Sequence, residues 1–141
     1  MHHDEFIGHV QAQASLPDRG SAQTAVRATM ETLGERLPPA LASHVAAQLP
    51  SEIGTYLNRG DEVVTGITSD EQVPTSGEGF GLPVFVERVA VRGQVSEDTA
   101  LRYAAATFNV LDAAVAPELT EKVTAVLPQD IRELLPERTA E

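Results

Sequence analysis

The chain has no cysteine and no tryptophan, and only 4% of its residues are aromatic. Without Cys there are no disulfides, no thiolate chemistry and no cysteine-based zinc sites, and a reducing, cytoplasmic setting is the expectation. The scarcity of aromatics, beside abundant alanine, favours closely packed helices over a sheet with bulky inward side chains. Positive charge is also short: 10 Lys and Arg stand against 21 Asp and Glu, a net charge of −11. The acidic excess is spread along the chain, and no basic stripe exists to hold phosphates. Nucleic acid and anionic membranes are therefore disfavoured as partners. No apolar run approaches a membrane span, and the opening MHHDEFIGHV lacks the apolar stretch of a secretory leader. The expectation is a soluble, unprocessed protein.

What the chain does have is a repeat. Leu41–Leu57, LASHVAAQLPSEIGTYL, returns 78 residues later as Leu119–Leu135, LTEKVTAVLPQDIRELL. Leu41, Val45, Leu49, Pro50, Ile53 and Leu57 fall on Leu119, Val123, Leu127, Pro128, Ile131 and Leu135. Upstream, Phe6, Val10, Ala22, Ala28, Thr29, Leu33 and Pro39 meet Phe85, Val89, Ala100, Ala106, Thr107, Leu111 and Pro117, with one extra residue near Pro17. A 141-residue chain can bury a substantial core, whereas each copy alone would be marginal. The expectation is one all-α domain over 1–141: a first repeat at 4–57, a linker at 58–81, a second repeat at 82–135 and a frayed tail at 136–141. The two four-helix copies should be pseudo-symmetric and share one core.

Apolar spacing places the helices. Asp4–Ala14 puts Phe6, Ile7, Val10 and Ala14 on one face. Asp18 is the expected N-cap of a long helix to Arg36, with a stripe of Ala22, Ala25, Val26, Thr29, Met30, Leu33 and Leu37. Pro39 and Pro50 open two short helices. In the second copy Pro83, Ser96, Pro117 and Pro128 start the equivalents. The helix from Ala100 to Val115 is apolar over most of its circumference, since Leu101, Ala105, Ala106, Val110 and Ala113 lie off its main stripe. It is expected to sit mid-bundle against its counterpart.

These residues resemble the bacterial domain-of-unknown-function family numbered 2267. The matching elements are DEFIGHV, AVRATMETLGERL and QLPSEI in the first copy, and FVERVA, LRYAAATFNVLDAAV and VLPQDIREL in the second. The resemblance implies an all-helical fold of two related halves. It implies no activity, cofactor or catalytic residue. Gly81 stands where that family's pattern suggests a capping Ser.

Candidate chemistry is thin. A free amino terminus followed by His2 and His3 can bind Cu(II) or Ni(II) in a square-planar site formed with Met1; a frayed terminus explains the residues as well. His9 and His44 correspond to Arg88 and Lys122, which points to solvent-facing positions. Glu97–Asp98 sit where a helix macrodipole accounts for them, and Asp61–Glu62 lie in the linker. Gly77, Gly79 and Gly81 lack the spacing of a phosphate loop. The unit at 41–57 has helix-turn-helix proportions, but its second helix offers Glu52, Thr55 and Tyr56 rather than a basic reading surface.

The repeat keeps its apolar spacing while its polar residues differ. That favours a non-enzymatic module that binds a protein partner or itself, with no cofactor and no catalytic residue. Leu101 and Val110 are the candidate interaction residues, because their counterparts Gln23 and Thr32 are polar. The alternative is a small-ligand binder or enzyme with a pocket between the helical halves.

Overall fold

The computed structural model describes residues 2–58 and 81–134. Among them the chain is all-helical, with eight helices and no strand: α1 (His3–Gln13), α2 (Arg19–Arg36), α3 (Pro39–Ala47), α4 (51–58), α5 (Leu82–Gly93), α6 (Glu97–Ala114), α7 (Pro117–Val126) and α8 (Gln129–Arg132). α4 is described as far as Asn58, and Gly81 is the N-cap of α5. The rest of the expected linker, including Asp61–Glu62, Thr68–Gly79, Gly77 and Gly79, lies outside the described residues, as do Met1 and the expected tail with Leu135.

The helix starts follow local chemistry. The Asp18 carboxylate accepts from the Ser21 amide at 2.8 Å, and the Ser96 hydroxyl from the Thr99 amide at 3.2 Å. Both satisfy an orphan donor of the first turn of a long helix. Pro39 and Pro117 open α3 and α7, where a missing N–H costs nothing. Two helices end through a non-glycine residue with positive φ, Ser15 at 55° after α1 and Gln94 at 59° after α5. Pro128 is the N-cap of α8, which is a single turn, shorter than α4.

α2 and α6 pack against each other, and α1 and α5 each lie against both. α3 meets α7, and α8 meets α5. The expected stripe of α2 is buried in full, and so is the main stripe of α6, Ala100, Tyr103, Ala104, Thr107, Phe108, Leu111 and Val115. Phe85 and Phe108 stack edge to face with centroids 5.6 Å apart, joining α5 to α6. At Gly54 an added Cβ would meet the Ala46 carbonyl at 2.8 Å, so α4 approaches α3 more closely than any side chain permits.

α6 lies against its counterpart α2, as expected, and against α1 and α5 as well, although Leu101, Arg102, Asn109 and Ala113 on it are exposed. The fully enclosed stretch is 28–37, every residue of which is buried, Glu31, Glu35 and Arg36 included. α2 is enclosed there despite its charges because it meets α5 partly through paired ones.

Leu49 and Leu127, ahead of the paired prolines, are 7% and 3% exposed. Leu127→Ala and Leu49→Ala should each cost about 2–5 kcal/mol in denaturant unfolding. A cost under about 1 kcal/mol at both would mean that these sites collapse without loss of packing. At the helix starts, the Ser21 backbone N–H holds the Asp18 carboxyl below its ordinary range. A lowered folded-state pKa contributes stability above the unfolded value and loses it as pH falls through the folded one. The stability gap between the wild type and Asp18→Ala should therefore be full at neutral pH and narrow as the solution is acidified below the usual aspartate range. An unchanged gap in acid would remove the carboxylate from the account.

Candidate functional site

Two pairs of charged residues, each spaced one helical turn apart, face each other across the α2–α5 seam. Glu31 and Glu35 come from α2, Arg88 and Arg92 from α5. Arg88 Nη1 donates to Glu35 Oε1 at 2.7 Å, and Arg92 Nη2 to Glu35 Oε2 at 2.6 Å. Both oxygens of one carboxylate are thus engaged by successive guanidinium groups. Arg92 also donates to the Thr32 hydroxyl at 2.6 Å, and its Nε lies 3.6 Å from Glu31 Oε1. Arg27 closes the cluster, with Nη1 3.7 Å from Glu31 and Nη2 donating to the Arg92 carbonyl at 3.3 Å. The Glu31 and Glu35 side chains are about a tenth exposed, Arg92 19% and Arg88 35%. Carboxylates this buried need such partners, since an unpaired buried charge is expensive.

A shallow depression of about 450 Å³ opens over this cluster, lined by Glu35, Val84, Glu87, Arg88, Val91 and Arg92. Val91 is 72% exposed, the more exposed of two large apolar side chains on the described surface; the other is Leu101 at 39%. A second depression, of about 700 Å³, lies between the end of α1 and α6 and is lined by Gln13, Ser15, Arg102, Ala105, Asn109 and Leu134 among others. There the Asn109 amide donates to the Gln13 side-chain oxygen.

Two helix starts lacking a capping side chain of their own receive help from elsewhere. The Leu82 amide donates to Asp130 Oδ2 at 3.0 Å, so α8 supplies α5 with the acceptor that Gly81 cannot. A Cβ at Gly81 would meet that same oxygen at 3.1 Å, so a residue larger than Gly here would press on its own cap. The Ala116 amide donates to Gln48 Oε1 at 2.7 Å, tying the end of α3 to the start of α7.

The sequence-derived candidates are not brought together. Leu101 is exposed, but Val110 is 2% exposed and belongs to the core, so the two form no common surface patch. Their counterparts behave alike: Gln23 is exposed and Thr32 buried. Thr32 is polar because it receives Arg92. His9, His44 and Lys122 are exposed as expected, whereas Arg88 faces the seam rather than open solvent. Glu97 and Asp98 are exposed in the first turn of α6. Of the copper-type terminus, Met1 lies outside the described residues. The His2 amide, which such a site must deprotonate, donates to Glu5 Oε1 at 2.9 Å. His3 starts α1, and its Nε2 lies 3.0 Å from Glu52 Oε1 of α4. That backbone donor also holds the Glu5 carboxyl below its ordinary range. Among the described residues no group of three or more His, Asp or Glu could hold a metal ion.

The cluster across α2 and α5 was missed in the sequence. Its signal was there in outline: Glu31 and Glu35 on one helix, Arg88 and Arg92 on another, both at the spacing that aligns charges on one face. Nothing in one sequence matches the two helices.

Across residues 3–134 the chain matches the family described as uncharacterized conserved protein (DUF2267). It belongs to that family. The matched range includes the positions of the charged cluster. A comparison with curated proteins gave no match. No helix among the described residues is long and apolar enough to cross a membrane.

The cluster should act as a unit. Glu35→Ala or Arg92→Ala should each destabilise by about 2–4 kcal/mol, somewhat less than for fully buried pairs because the arginines are partly exposed. The double mutant should cost less than the sum of the singles by about 1 kcal/mol or more. Additive costs would show that the residues contribute only their separate packing.

Proposed function

We propose that this DUF2267 chain is a non-enzymatic helical module that acts by association, with itself or with a protein partner, through the outer face of α5. The observation that carries this reading is Val91: an aliphatic side chain 72% exposed at the rim of a depression whose floor is held by the Glu35–Arg88–Arg92 cluster. Exposed apolar groups beside fixed charges are the ordinary make-up of an interaction surface. The cluster itself favours a structural role, since both oxygens of Glu35 are committed to α5.

The two-repeat plan belongs to the same proposal. Asp18 and Ser96 occupy equivalent positions and cap alike, and Ser15 and Gln94, also equivalent, both carry positive φ. These correspondences support two related four-helix halves sharing one core. The alternative of a small ligand held between the halves is favoured only by the open depression between α1 and α6.

The experiment is sedimentation of the wild type and Val91→Gln, with capture of binding proteins from native cells by each. Gln suits a helix and the site is exposed, so stability should change by no more than about 0.5 kcal/mol. Association should weaken by about tenfold or more. Equal association by both proteins would overturn this reading of α5.

A further inference from the structure

The seam between α1 and α6 differs in chemistry from the seam between α5 and α2. The register of the repeat sets Gln13 on Arg92, Ala105 on Arg27 and Asn109 on Glu31. Across α2 and α5 those three positions are charged, and their side chains fill the seam with ion pairs. Across α1 and α6 they are neutral and shorter. Asn109 donates to the Gln13 side-chain oxygen at the positions where Glu31 and Arg92 pair in the other seam. All three residues line the depression of about 700 Å³. Buried Ala14 and Ala106, with half-buried Ala105, give it an apolar floor, and half-buried Leu134 adds to the wall. Arg102 stands at the rim, two helical turns before Asn109 on α6. Arg27, Arg88 and Arg92 all lie against carboxylates. Arg102 has no ion pair and no hydrogen bond among the described residues.

We infer that the α1–α6 depression binds a small organic carboxylate, with the carboxylate on Arg102 and the apolar body on the alanine floor. A guanidinium left free by the protein takes a carboxylate through two parallel N–H bonds. The bond between Gln13 and Asn109 leaves the Gln13 NH₂ as a donor and the Asn109 carbonyl as an acceptor, which suits polar groups on the ligand's body. Apolar lining with a few convergent polar groups, in a volume of about 300–1,000 Å³, is the usual make-up of a small-molecule site. The net charge of −11 opposes anions at long range, so selection rests on contact with Arg102 and not on steering. This site stands beside the association proposed for α5 and does not depend on it.

NMR of the full-length protein reads the site directly, with benzoate as probe and benzamide as its neutral match at constant ionic strength. Benzoate should shift the signals of Gln13, Ser15, Arg102 and Asn109 together and saturate with a Kd of about 1 mM or tighter. Benzamide should bind about tenfold more weakly, since it cannot form the charged pair. Arg102→Gln should bring benzoate down to the benzamide level and leave benzamide unchanged. Ala105→Leu fills the floor while keeping Arg102, and it should weaken both probes about tenfold. Equal binding of the two probes, or benzoate binding that survives Arg102→Gln, overturns the carboxylate assignment. Benzoate shifts centred on Lys122 and Arg132, which are exposed basic residues outside the depression, overturn the site. So does the lack of any saturating shift up to about 10 mM benzoate.

Discussion

The burial of Glu35 is the constraint around which the bundle is arranged. A carboxylate enclosed on α2 is tolerable only if donors reach it from another helix. Arg88 and Arg92 do so from α5, one to each oxygen. That requirement fixes both the rotation of α5 and its height against α2. A one-residue slip would turn Arg92 from Glu35 and Thr32 together. Apolar packing is less exacting, because neighbouring aliphatic residues exchange places at modest cost. The ion cluster thus supplies register where the alanine-rich seam between α2, α5 and α6 cannot.

The same constraint explains where the sequence was legible. Helix positions could be read because Asp18, Ser96, Pro39 and Pro117 act through their immediate neighbours. The two apolar stripes could be read because they need only the periodicity of a helix. Whatever depended on one helix meeting another was hidden. Thr32 looked like a polar divergence from Val110, when both are buried and only Thr32 receives an arginine. Gly81 looked like a weak start for α5, when its capping oxygen comes from Asp130, 49 residues on. Family membership was legible because it rests on linear pattern. No candidate site was, because the described residues form their charged cluster by tertiary pairing.

Cross-helix capping carries the principle further. α5 begins against Asp130 of α8, and the residue before α7 donates to Gln48 at the end of α3. These bonds connect elements far apart in sequence, so the chain's short helices need not be stable alone. α8 is one turn long and would not persist in isolation. It is held by Ile131, which is fully buried, and by the hydrogen bond that Asp130 accepts from the Leu82 amide of α5.

The placement of charge therefore separates two tasks that one helix performs at once. The inner face of α5 is committed to the core by Phe85, Val86, Val89 and Ala90, and its flank to α2 by Arg88 and Arg92. Pro83, Glu87 and Val91 are exposed, with Val84 and Arg88 half-buried beside them. Arg88 belongs to both the flank and that outer side, which couples them: its guanidinium is held in place by Glu35. The cluster that sets the register of α5 in the fold is thus the same cluster that gives its outer face a defined shape.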